Sequence, residues 1–156
     1  MTTVMYYELN ITPMEKVLPQ LLLKMLSANE DGSNQPEHRA MVLAESSARV
    51  DELNTMLFTF STNKFIPHGT AKDGFADRQP VWITDSSDNA NGAKNLFITH
   101  LNPVDFIGNF SKCVRFFDGS NPIQTEAAKK LIANDTAAGM NTQHWRQTKS
   151  GWDRIQ

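Results

Sequence analysis

Residues 3–25 read TVMYYELNITPMEKVLPQLLLKM, and this stretch decides the fold class. Thr3-Val4-Met5-Tyr6-Tyr7 is rich in β-branched and aromatic residues, which suit a pleated, half-buried surface. Thr12-Pro13-Met14-Glu15 then carries a helix start: Thr12 as cap, Pro13 at the first helical position, Glu15 closing a capping box. Met14, Val17, Leu18, Leu21, Leu22 and Met25 follow at helical spacing and define one buried face. Pro19 conflicts with that helix, because an interior proline removes a hydrogen bond and costs about 3 kcal/mol. It predicts a kink, or a helix that begins later.

The same alternation continues outward. Residues 29–37 (NEDGSNQPE) are polar turn formers and read as a loop. Residues 39–43 read as a strand and residues 46–60 as a helix with Val50, Leu53 and Leu57 inward. Residues 61–79 form a long connection without periodicity, a length uncommon in compact domains unless it is functional. Strands follow at 81–84, 96–98 and 113–117, with a turn-rich loop at 85–92 and a short helix before the last strand. Asn121-Pro122-Ile123-Gln124 repeats the cap-plus-proline start, and Gly139 suits a helix stop. Residues 141–156 read as a C-terminal extension of a single domain spanning 1–156. The order β-α-β-α-β-β-(short α)-β-α predicts an α/β fold with a mainly parallel sheet flanked by helices.

Length and composition agree. A chain of 156 residues and 17.5 kDa suits one domain, which buries roughly 70% of its unfolded surface without covalent staples. Fifteen Lys and Arg against 17 Asp and Glu give a net charge of −2, which argues against sequence-independent duplex binding. The single Cys113 excludes a disulfide framework and a cysteine-based zinc site. Neither a signal peptide nor an apolar run of about 20 residues is present, so no membrane association and a cytoplasmic, soluble protein are expected.

Catalytic motifs are absent. The first β-to-α turn, Glu8-Leu9-Asn10-Ile11-Thr12, has no glycine to wrap a phosphate, and neither G-x-x-x-x-G-K-[ST] nor G-x-G-x-x-G occurs. Cys113 sits in a strand pattern as a core residue. The four histidines are widely spaced. His68, between Pro67 and Gly69, reads as a turn residue, and Asp85 and Asp88 read as turn and cap residues. No metal and no cofactor are expected. Phe58, Phe60, Phe65 and Phe75 lie in or beside the long connection. They either tuck under it as a satellite of the core or form an exposed interface. Lys129 and Lys130 adjoin Leu131 and Ile132, which reads either as a solvated edge or as a cation beside an apolar pocket for an acidic peptide.

The sequence resembles the chi subunit of bacterial DNA polymerase III holoenzyme. The residues that carry the resemblance are Tyr6-Tyr7-Glu8-Leu9, Ala44-Glu45-Ser46, Asp51-Glu52-Leu53-Asn54 through Leu57-Phe58-Thr59-Phe60, Phe65-Ile66-Pro67-His68-Gly69, Gln79-Pro80-Val81, Asn91-Gly92-Ala93 and Phe116-Phe117-Asp118-Gly119. The F-I-P-H run followed by Q-P-V is the most specific part. The resemblance implies a non-catalytic adaptor of nucleotide-binding-like topology. Its implied partners are the psi subunit, which joins it to the clamp loader, and the acidic C-terminal tail of single-stranded DNA-binding protein. In some members a helicase-like repair protein competes for the psi-facing surface. Specific DNA binding is not expected. Carried over by position, Phe58 and Phe65 would face psi, and Phe117, Lys129, Lys130 and Ile132 would bind the tail. Ile132 replaces an aromatic residue, and Thr125 and Ala133 replace basic residues common in other members, so the tail site is less cationic here. Arg146, Lys149 and Arg154 are the next source of positive charge. The competing expectation, from the residues alone, is a small nucleotide-dependent enzyme using His68 and the Asp85/Asp88 loop.

Overall fold

In the computed structural model, which describes residues 1–27 and 35–156, seven strands form one sheet in the order β3-β2-β4-β5-β1-β6-β7. The strands are β1 (Thr3–Leu9), β2 (Ala40–Leu43), β3 (Val81–Thr84), β4 (Asn95–Ile98), β5 (Lys112–Asp118), β6 (Asn141–Thr148) and β7 (Gly151–Arg154). The helices are α1 (Met14–Ser27), α2 (Ser47–Thr59) and α3 (Pro122–Ala137). All neighbours pair in parallel except β6 and β7, an antiparallel hairpin. Parallel neighbours need long crossovers, and the helices supply most of them.

Side-chain alternation along each strand divides the core into two layers. Tyr7, Leu9, Val42, Ala44, Val114 and Phe116 face α1 and α2, where Leu18, Leu22, Leu53 and Leu57 meet them. Val4, Tyr6, Met41, Leu43, Cys113 and Phe117 face α3, where Ala128 and Leu131 close the other layer. Truncating Leu18 or Leu22 to alanine would cost about 2–5 kcal/mol, since both are fully buried. This is the single α/β domain with a mainly parallel sheet that the alternation predicts. Among the described residues no helix is long and apolar enough to cross a membrane.

Three sequence expectations need correction, and a fourth lies mostly outside the described residues. Helix α1 opens on Pro13, whose carbonyl accepts from the amides of Lys16 and Val17 (3.0 and 3.3 Å), and not on Thr12. The Thr12 side chain is engaged by Gln147 instead. Helix α1 also runs through the buried Pro19 and does not start later. The segment 141–156 is no appendage: it contributes β6 and β7, and β6 lies along β1 from Thr3 to Glu8. The loop expected at 29–37 lies outside the described residues up to Asn34, and Pro36–His38 form a 3-10 turn. Elsewhere the expected elements stand within a residue or two. Ser46 caps α2 through a bond from the Arg49 amide (3.1 Å), and Asn121 caps α3 through bonds from the amides of Ile123 and Gln124.

Candidate functional site

Strands β1 and β5 are neighbours, yet the helix after β1 covers one face of the sheet and the helix after β5 covers the other. Such a switch point opens a crevice at the carboxyl ends of the two strands, where α/β proteins commonly hold nucleotides. A cavity of about 460 Å³ lies there, lined by Asn10, Pro13, Arg49, Phe116, Asp118 and Gln124 among others. Its chemistry is already spent on the protein itself. The amides of Asn10, Ile11 and Thr12 converge on one atom, Gln147 Oε1, at 3.2, 3.0 and 3.1 Å. Successive amides aimed at one point form an anion cradle, and here a neutral side-chain oxygen fills it. Arg49, the one cation lining the crevice among the described residues, is surrounded by Glu15, Glu52 and Glu45 at 3.0, 2.8 and 3.8 Å.

A second and larger groove, about 850 Å³, runs between α3 and the ends of β1, β5 and β6. Its α3 wall is the face formed by Thr125, Ala128, Lys129, Ile132, Ala133 and Thr136, the i, i+3, i+4, i+7 stripe of one helix side. Phe117, buried at the end of β5, also lines it. The structure therefore brings Phe117, Lys129 and Ile132 together. Lys130 is not with them: one residue further along, it is turned about 100° around the helix axis and is exposed outside the groove. Lys129 reaches Glu126 at 3.5 Å, a solvent-exposed pair of little energetic weight.

Sequence reasoning missed most of the groove's opposite wall. Glu8, only 9% exposed, accepts from His144 Nε2 at 3.0 Å and from Arg146 Nε at 2.8 Å. Burial pushes the Glu8 carboxyl up, but the bonds from Arg146, Asn10 and His144 outweigh it and hold the group below its ordinary value. The His144 ring lies 5.6 Å from that of Phe117. Gly119 makes room for this cluster, since a Cβ there would sit 2.1 Å from Asn10 Oδ1 and 2.8 Å from Glu8 Cγ. Lys149 and Arg154 lie outside the groove, and Arg154 covers the Trp145 ring at 5.9 Å. The available signal was the alternation in Gln143-His144-Trp145-Arg146-Gln147, a strand period hidden by its polarity.

The aromatic residues of the long connection divide. Phe60 packs against the core, whereas Phe58, Phe65 and Phe75 are 57, 66 and 67% exposed. Phe58 lies against His68, ring centroids 4.3 Å apart, and the exposed Phe65 precedes His68 by three residues. The bland expectation of a buried satellite holds for Phe60 alone. His68 Nδ1 donates to the Ile66 carbonyl at 2.7 Å, the turn role expected of it. Asp85 and Asp88 are exposed beyond the carboxyl end of β3, whereas Gly69, next to His68, pairs alongside Trp82 within β3. The structure does not unite the residues of the enzymatic alternative, and no metal-holding group of three His, Cys, Asp or Glu occurs among the described residues. Cys113 is fully buried, and burial raises its thiol to about 12, as suits a core residue.

Fold and site thus define a doubly wound α/β protein whose amide cradle at the switch point is filled internally and whose open groove beside α3 joins apolar surface to Lys129 and Arg146. Comparison with known proteins adds the particular lineage. Residues 1–143 match the family model of the DNA polymerase III chi subunit, HolC, and the chain belongs to that family. It is also similar to a probable DNA polymerase III subunit chi of Rickettsia prowazekii (strain Madrid E), 31% identical over 86 residues. That alignment covers 55% of this chain and spans about half, 51%, of the relative's length.

Proposed function

We propose that this protein is a non-catalytic accessory subunit of the replicative DNA polymerase that bridges two partners. One is the psi subunit, received by the exposed Phe58 and Phe65. The other is the C-terminal tail of single-stranded DNA-binding protein, received by the groove of Phe117, Lys129 and Ile132. Membership of the chi family supports an accessory role in the polymerase complex. The observation that carries the bridging reading is the separation of the two surfaces. Phe58 packs on His68, whose neighbour Gly69 pairs with Trp82 of β3 at one end of the strand order, and the groove lies between α3 and the β1–β6 side. Two partners could therefore be held at once. The filled amide cradle and the neutralised Arg49 favour this adaptor over a nucleotide-dependent enzyme.

The groove's charges are partly open to water, so tail binding should be micromolar, on the order of −8 kcal/mol or weaker, and should fall as salt rises. The test is a three-component titration with psi and a labelled tail peptide. The expected result is a ternary complex, with Phe65→Ala weakening psi by about 2 kcal/mol or more while peptide binding and circular dichroism stay unchanged. Mutually exclusive binding of psi and peptide, or full psi affinity in Phe65→Ala, would overturn the arrangement.

A further inference from the structure

On its helix wall, the groove that is proposed to receive the tail carries a single cation, Lys129, beside the uncharged Thr125 and Ala133. A second cation, Arg146, lines it from the facing strand β6. We infer that Arg146 is the residue that takes the free C-terminal carboxylate of an acidic peptide docked in this groove. The inference rests on the tail-binding reading above.

Three features of the geometry point to Arg146. First, it is held: its Nε donates to the buried carboxylate of Glu8 at 2.8 Å, which orders a long side chain before any ligand arrives. Second, it remains available, with 48% of the side chain exposed and neither terminal nitrogen bonded within the described residues. With Nε committed, those two nitrogens present the flat N–H edge that matches a carboxylate with two parallel bonds. Third, it is placed beside apolar surface, because Phe117 and Ile132 line the same groove. A peptide's last side chain can rest there while its carboxylate meets the guanidinium. Glu8 would repel a carboxylate in its place, but it accepts from both Arg146 and His144 and is less exposed than either. Arg146 also lies beyond residue 143, where the family match ends, so this assignment comes from the strand register of this chain.

The experiment is a double-mutant cycle read by fluorescence anisotropy. The probes are an Asp-rich peptide ending in phenylalanine with a free carboxylate, and the same peptide amidated at its C-terminus. Wild type, Arg146→Gln, Arg146→Lys and Lys129→Gln are titrated with both. Wild type should lose about tenfold on amidation. Arg146→Gln should bind the free acid about tenfold more weakly and be nearly indifferent to amidation. Arg146→Lys, keeping the charge without the flat edge, should recover only part of the loss. Lys129→Gln should change affinity about twofold and keep its response to amidation. Equal amidation penalties in wild type and Arg146→Gln would overturn the assignment while leaving the groove as the tail site. A loss of amidation response in Lys129→Gln alone would place the carboxylate at the helix. Failure of wild type to bind either peptide would overturn the tail-binding reading, and the assignment with it. Unchanged circular dichroism and thermal midpoint keep the cycle interpretable for each variant.

Discussion

Tyr6, Arg115 and Asp135 place three polar groups in the apolar layer beneath α3, and all three are buried. Tyr6 donates its hydroxyl to the Asp135 carboxylate, and burial together with this bond raises the phenol well above its ordinary value. Arg115 is fully buried and donates from Nη1 to the carbonyls of His100 and Asn102, both at 3.0 Å. It thereby ties the loop after β4 to the centre of the sheet. A buried carboxylate that loses its donor pays the desolvation cost of an unpaired acceptor. Tyr6→Phe should therefore destabilise the fold by about 1–3 kcal/mol, measured as a shift in the urea midpoint at constant slope. An unchanged midpoint would mean that Asp135 finds a new donor at no cost. Nothing in the sequence pattern announces this network. Arg115 sits in a run that otherwise reads as an ordinary strand, and its burial follows only from the strands on both sides of β5.

At the level of elements, the β6–β7 hairpin braces the first turn of the chain. Trp152 meets Tyr7 edge-on at 4.9 Å, Trp145 packs on the same layer, and Gln147 binds the three amides of residues 10–12. Gln147→Ala should leave those amides to water. The expected result is faster hydrogen exchange at residues 10–12 and a stability loss of about 1 kcal/mol, with the core amides of β1 still protected. Unchanged exchange at those three amides would show that Gln147 does not anchor the turn. This hairpin is also where sequence reading stops. The strands with apolar faces, β1 to β5, are legible because burial on both faces leaves continuous Val, Ile, Leu and aromatic runs. Strand β6 reads NTQHWRQT, and its partial exposure lets polar residues stand where a central strand would carry aliphatic ones. The candidate groove is legible to the same extent. Ile132 and Lys129 fall on one helix face by spacing alone, whereas Glu8 and Arg146 meet only through the register that pairs them across β1 and β6.

For the molecule as a whole, that pairing links stability to pH. The carboxyl of Glu8 lies below its ordinary value of 4.5 in the folded protein, so it contributes stability that is fully present above the unfolded value. That contribution is lost as pH falls through the lower folded value. Urea midpoints followed downward from about pH 5 should fall more steeply for wild type than for Glu8→Gln, and parallel curves would contradict the linkage. The strand order carries a consequence of another kind, for the life of the nascent chain. Strand β1 leaves the ribosome first, yet its two partners, β5 and β6, are made from residues 112–118 and 141–148. The first strand must therefore wait, its backbone unpaired and its tyrosines uncovered, while residues 10–118 are translated, roughly 5–20 seconds at about 5–20 residues per second. Strands β2, β3 and β4 can assemble during that interval with α2. Closure of the sheet around β1 is then the late, slow event, as pairings of high sequence separation are. In that interval the chain depends most on whatever shields an unpaired strand in the cell.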